Sequence, residues 1–408
     1  MPPPPEIQVQ PLDVVVVLTT QWRWNAIGFA GDPNAQTPKL DALAKDAVWL
    51  RQAVTPHPFG VFARAAFLTG LPCPVNGVRD YYDPLPASAR TLAHAFGELG
   101  YATAFFGKWQ LFERDPSAPV VGEEHARVVV PEARRGGFAF WEGFESGFLL
   151  NDPFLHGTRL PQPTRFPGYQ SDVILDRCGR YLRENSADNR PRFMLVSLDA
   201  PHPPYAASAS GFARYDESTI RLLAGTGPDE AARSTARREL AGYYAHIEAT
   251  DRSIGRFVEA LRSTGRWART LFVFTSVHGD MHGVDGEFRK GWPHEESVRI
   301  PLLLRGPGAF SGGRVDDGLY SLLDLGATLL RLAEGGETTF PGCDFSGVLL
   351  GNKPAPKMQS ISMPSVPPFA KQCPYVWAAE RDCRRTRVTP ERADPFTLEH
   401  EASRLFEL

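Results

Sequence analysis

The sequence predicts an α/β sandwich with a mostly parallel central sheet and a small C-terminal appendage. Three observations carry this expectation. Short, fully apolar β-branched runs recur along the chain, as in strands buried on both faces. Amphipathic helical stretches alternate with them, an order that places helices on both sides of one sheet. After about Gly342 the pattern changes to short strands and turns.

The elements follow in order. Residues 13–18 form a continuous apolar run and read as a buried strand. Thr37 and Pro38 are start signals for a helix carrying Leu40, Leu43, Ala44 and Ala47 on one face. A Pro/Gly loop at His57–Gly60 leads into a short apolar helix with Arg64 in its first turn. Residues 91–99 form a helix stopped by Gly100, and 101–106 the next strand. Between 115 and 163 Pro, Gly and Arg dominate, which predicts a long functional loop or an insertion. Residues 169–182 are helical and 193–198 a strand. A long helix carries Leu240, Tyr243, Ile247, Ile254, Val258 and Leu261 at helical spacing, ending before Gly265. Residues 271–276 and 301–304 are strands, and 322–332 a helix.

Composition narrows the function. The chain has 408 residues, 42% hydrophobic and 22% charged, enough for a large core. A net charge of −3 argues against sequence-independent nucleic-acid binding. Five cysteines without zinc-ligand spacing read as reduced thiols. With no cationic-then-apolar start, these point to a cytoplasmic protein. The run at 14–18 is too short to span a bilayer.

In open α/β sheets ligands bind beyond the carboxyl ends of the strands. There the sequence reads Thr19-Thr20-Gln21, Gly107-Lys108-Trp109-Gln110-Leu111, Asp199-Ala200-Pro201-His202 and Ser276-Val277-His278-Gly279, followed by Lys290. With Gly60-Val61-Phe62-Ala63-Arg64-Ala65-Ala66-Phe67-Leu68-Thr69-Gly70 and the terminal 403–408 segment, this ordered series resembles the sulfatase family of the alkaline phosphatase superfamily. The resemblance implies a three-layer α/β/α domain over 13–342 with a large sheet. It also implies a small α+β unit with a short antiparallel sheet over 343–408, after a Pro-rich tail at 1–12.

The same resemblance marks departures. The family's Cys or Ser, oxidised to the formylglycine nucleophile, corresponds to Gly60, which has no side chain to oxidise. The calcium positions read Thr20, Gln21, Val277 and His278, without one carboxylate, although calcium favours several hard, negative oxygen ligands. The histidine of the Gly-Lys-Trp-His motif is Gln110. Arg64, Lys108, His202, His278 and Lys290 match family residues that bind the anionic ester, tune the nucleophile or protonate the leaving oxygen.

The expected site is therefore a metal-free anion pocket with no cofactor. His202, His278 and Lys108 are its catalytic candidates, and Arg64, Lys290, Thr20, Gln21, Gln110 and Gly60 its substrate-binding ones. Its ligand would be a small sulfate, phosphate or carboxylate-bearing molecule. The histidines would do acid–base work near neutral pH. Three readings stand: a repurposed metal-independent enzyme, an inactive anion- or partner-binding protein, and an ester hydrolase with relocated ligands. Singly, each Lys or Arg also reads as a solvated charge and His278 as a core histidine. His278, Asp280, His282 and Asp285 are an alternative transition-metal group. Cys73 is set aside as a replacement nucleophile, on the order of 15–20 Å from Gly60 if the helix rise separates them.

Overall fold

Asp13–Thr19 (β1) lies at the centre of a ten-stranded sheet, and all seven of its residues are buried. The computed structural model describes residues 11–227, 229–334, 339–389 and 399–401. The terminal 403–408 motif and the first ten residues lie outside them.

Alternate residues of β1 feed two cores, as the two-residue period of a strand requires. Val14, Val16 and Leu18 join the first, Val15 and Val17 the second. Each buried valine contributes roughly 1.5–3 kcal/mol relative to exposure. The second core packs on Pro38–Ala44 (α1). Val48–Val54 (β2) returns to the sheet, and Gly60–Thr69 (α2) is buried at every position of its ten. Leu92–Glu98 (α3) precedes Ala102–Lys108 (β3).

The segment expected as a long loop is largely ordered structure. It holds the helical turn Glu123–Ala126 (α4) and the strands Phe140–Phe144 (β4), Phe154–Gly157 (β5) and Leu160–Arg165 (β6). Those strands extend one edge of the sheet. Gln170–Glu184 (α5), Arg192–Ser197 (β7) and the 34-residue Glu230–Ser263 (α6) follow, the last about 50 Å long at helical rise. Then come Thr270–Ser276 (β8), Glu295–Val298 (α7), Leu302–Arg305 (β9), Arg314–Ser321 (β10) and Leu322–Glu334 (α8).

The strand order is β10-β2-β9-β8-β1-β7-β3-β4-β5-β6. The central run β8-β1-β7-β3-β4 is parallel throughout. Strand β9 runs antiparallel to both its neighbours, and β5 and β6 are antiparallel additions, so the sheet is mixed.

The C-terminal unit comprises Ser346–Leu349 (α9) and a second, antiparallel sheet. Its strands are Gln359–Met363 (β11), Trp377–Arg381 (β12), Arg385–Val388 (β13) and Glu399–Glu401 (β14). Ile361, Met363, Trp377 and Ala379 enter the first core. The sheet is also tied to two loops of the main sheet: Ser362 N donates to Pro56 O at 3.0 Å, and Trp377 Nε1 to Gly291 O at 2.8 Å.

Candidate functional site

The carboxyl ends of β1, β3, β7 and β8 meet at one point, where a narrow pocket is lined by Thr20, Gly60, Lys108, Gln110, His202, His278 and Lys290. Three phenylalanines, Phe59, Phe148 and Phe369, complete its wall. Arg64 lies directly behind. The sequence placed Arg64 in the first turn of α2; it is the fifth residue of that helix and reaches back toward its start. Its guanidinium donates to Thr20 Oγ1 at 2.6 Å, Gln110 Oε1 at 3.0 Å and Ser197 Oγ at 3.2 Å. All nine expected site residues are thus brought together.

Gly60 opens α2 where a side chain fits only if Arg64 or Gln110 shifts. A Cβ there would stand 2.8 Å from Arg64 Nη1 and 3.0 Å from Gln110 Oε1. Glycine itself offers no side-chain atom to a substrate, and Arg64 stands against its Cα.

Two buried lysines face the pocket in contrasting states. Lys108 Nζ pairs with Asp199 Oδ1 at 2.6 Å, and Gln170 holds Asp199 from the other side. Lys290 Nζ donates to uncharged partners, Gln21 Oε1 at 2.9 Å and His202 Nε2 at 3.0 Å. Burial lowers Lys290 to about 7, Cys373 and Asp280 opposing that fall. Burial lowers Lys108 to about 8, partly offset by Asp199. Arg64 is lowered to about 10, again chiefly by burial. Among the described residues, neither Arg64 nor Lys290 has a carboxylate ion-pair partner; Asp199 acts on the first and Asp280 on the second only at longer range.

The histidines behave differently from the expectation. Burial holds both well below the usual imidazole range, and the Lys290 charge pushes each further down. His202 Nδ1 donates to Pro203 O at 2.7 Å, which leaves Nε2 to accept from Lys290. His278 Nδ1 donates to Gly279 O at 2.8 Å, and its buried Nε2 has no partner. The pocket groups brought near neutrality are the lysines, because burial disfavours every cation and an ammonium starts from about 10.5 while an imidazolium starts from about 6.5.

Residues the sequence did not assign to the anion pocket hold this arrangement. Asp280 accepts from Gln21 and from Tyr205, turning the Gln21 carbonyl toward Lys290. Burial raises Asp280, but His282, Arg289 and these donors outweigh it and hold the carboxyl at about 2. Asp199 sits inside the motif that named His202, a signal available in the sequence; Phe148 and Phe369 carried none. Gln21, Gln110 and Phe148 all adopt left-handed backbone, with φ of 72°, 59° and 54°. Such conformations cost of order 1–3 kcal/mol each and gather at functional sites.

The four calcium positions do not suit that ion. Thr20 Oγ1 and Gln21 Oε1 already receive N–H groups from Arg64 and Lys290. Val277 is apolar, and His278 turns one ring nitrogen to the backbone. The alternative metal group is overturned: Asp280 lies 3.5 Å from His282, whereas Asp285 faces His294 at 3.2 Å. Among the described residues no three His, Cys, Asp or Glu side chains are placed to hold a metal. Cys73 stays excluded, though for another reason than distance. The chain turns back after α2, and Cys73 Sγ lies 3.9 Å from Phe62 O; burial pushes the thiol up to about 12.

The family model for sulfatases matches residues 13–336. This chain belongs to the sulfatase family. The ulvan-active sulfatase of Formosa agariphila is 33% identical over 372 residues, covering 88% of this chain and 68% of that protein. An arylsulfatase of Clostridium perfringens is 26% identical over 389 residues, 79% of this chain and 74% of the other. Among solved structures, one holding its substrate D-glucosamine-2-N,6-O-disulfate superposes with a TM-score of 0.77 at 19% identity, over 96% of this chain and 91% of that one. A phosphonate monoester hydrolase of Agrobacterium radiobacter gives 0.70 at 21%, over 93% and 87%. At those identities the likeness is one of fold. The sulfatase architecture is therefore retained here.

Proposed function

We propose that this sulfatase-family pocket is a metal-independent anion site. It takes a small molecule bearing sulfate, phosphate or carboxylate, and the buried lysines supply its acid–base chemistry. The observation that carries this reading is the pair of buried cations, Arg64 and Lys290, without carboxylate ion-pair partners beside Gly60. A buried charge in that state gains most from a ligand of opposite sign. Arg64 offers planar, charge-assisted donors to an anion. Lys290, poised at about 7, passes a proton to a leaving oxygen with little cost at neutral pH, and its bond to His202 Nε2 holds it in place. Lys108 holds its charge through Asp199 and orients the ligand.

The test combines binding, metal content and turnover. Inorganic sulfate should raise the melting temperature of protein carrying no stoichiometric divalent ion by elemental analysis, and chelator should not change that shift. Lys290→Met and Lys108→Met should each weaken it. Hydrolysis of an activated aryl sulfate should stay at background in wild type. Gly60→Cys, co-expressed with the formylglycine-forming enzyme, should stay there too. Metal-dependent aryl sulfate turnover by the wild type would refute the proposal.

A second reading, an inactive anion-binding protein, draws on the depression of both histidines and the absent nucleophile. His202→Ala separates the two. An enzyme whose Lys290 is held by His202 would keep binding and lose turnover of its substrate; a binding protein would lose affinity alone.

A further inference from the structure

Resting on the anion-site reading, we infer that Phe369 is the gate of the pocket and restricts its ligands to anions with a flat apolar body. The unfilled space among the lining side chains is only ≈ 10 Å³, room for about one water. A sulfate group therefore enters only if one wall yields. Phe59, Phe148, His202 and Lys290 are all buried, at 2%, 5%, 8% and 5% exposure. Phe369 alone among the lining residues is half-buried. It also comes from residues beyond the 13–336 matched to the family, so this wall is contributed by the C-terminal unit.

The gate closes on aromatic surfaces. The Phe369 ring sits 5.4 Å from that of Phe59 and 5.1 Å from that of Tyr81. The backbone around it is pinned: Phe369 N donates to Val366 O, and Cys373 N donates to Phe369 O, each at 2.8 Å. The side chain is thus the part free to swing. When it does, it uncovers two ring faces that an aryl group can cover again by offset or edge-on stacking. The several hydroxyls of a sugar find little to match them beyond the unpartnered His278 Nε2. The polar groups beside the pocket, Thr20, Gln21 and Gln110, are already engaged with Leu198, Lys290 and Arg64. Desolvated hydroxyls left without partners weaken binding.

The experiment measures calorimetric affinity for inorganic sulfate, 4-nitrophenyl sulfate and glucose 6-sulfate. The proteins compared are wild type, Phe369→Ala and Phe369→Leu. The aryl ester should bind wild type at least about tenfold tighter than the sugar ester. Phe369→Ala should narrow that ratio by admitting the sugar, while affinity for inorganic sulfate is not reduced. Phe369→Leu, which keeps an apolar plug, should fall between and guards against loss of fold in the alanine variant. If wild type binds sulfate but prefers the sugar ester, or if neither variant alters the ratio, the gate is wrong and the anion site stands. If wild type binds none of the three anions, the anion-site reading fails and takes the gate with it.

Discussion

Lys290 is the residue on which the chemistry of the pocket turns. Its folded-state value, about 7, lies below the ordinary 10.5, so the unfolded chain binds the extra proton between those values. Stability therefore rises as pH climbs from about 7 toward 10.5, and the burden is fully present below the folded value. Lys290→Met should raise the melting temperature at neutral pH, and its advantage should shrink toward pH 10. Parallel melting profiles for wild type and variant would contradict this. Ligand binding runs the other way, because the anion needs the ammonium form: sulfate affinity should weaken as pH rises through the range set by Lys290 and Lys108. In Lys290→Met only the higher of the two titrations, near 8, should remain.

At this scale the sequence was informative about which residues assemble and less so about their protonation. The resemblance to the ordered sulfatase motifs located Arg64, Lys108, His202, His278 and Lys290. Protonation depends on neighbours distant in sequence. Asp199 pairs with Lys108 across 91 positions, and Gln21 reaches Lys290 across 269. No spacing rule within the chain discloses such a contact.

Among the elements, the C-terminal sheet does the most unexpected work. Arg381 on β12 is fully buried and donates to Glu295 at 3.0 Å, at the start of α7 and just beyond the Lys290 loop. Its second donor bond goes to Gln52 on β2. Arg299 also reaches Glu295, at 3.5 Å, so the carboxylate stays partly compensated without Arg381. Arg381→Ala should therefore cost about 3 kcal/mol, the lower end for breaking a buried pair. The urea midpoint reads that loss. Sulfate affinity should fall as well, because the anchored loop carries Lys290; an unchanged affinity in the folded variant would mean that the loop is held elsewhere.

Strands β1, β3, β7 and β8 were legible because burial on both faces demands an unbroken apolar run. Strands β4 to β6 were not. Strands β4 and β5 are largely buried, but Glu142, Gly143, His156 and Gly157 interrupt their apolar runs, and the edge strand β6, Leu-Pro-Gln-Pro-Thr-Arg, has no fully buried residue. Its prolines are compatible with an edge, where ladder donors can be spared. Strands β2 and β10 escaped for a related reason, since half of their positions are only partly buried or exposed.

For the whole molecule, the mixed sheet and its two cores place every expected site residue at one end of the parallel strands. The carriers are rigid: Gly107 sits at φ 96° in β3, and a Cβ there would come within 2.0 Å of Ser197 O. Gly107→Ala should consequently force β3 from β7 and displace Lys108, lowering both the melting temperature and sulfate affinity. A variant as stable as wild type would show that the two strands can separate without loss.

The centrality of β1 has a kinetic meaning. Its amides are bonded to parallel neighbours on both sides and covered by a core on each face. Backbone protons of Val15 to Leu18 should exchange with deuterium only through global opening, as the most protected elements of a domain do. Thr20 and Gln21 continue directly from that strand. The floor of the pocket thus belongs to the slowest-exchanging part of the protein, while Phe369 hangs from a turn with no such double protection. Isotope uptake should accordingly divide the site into a fixed half and a mobile half, and an added anion should slow exchange in the Phe369 turn while leaving β1 as it was.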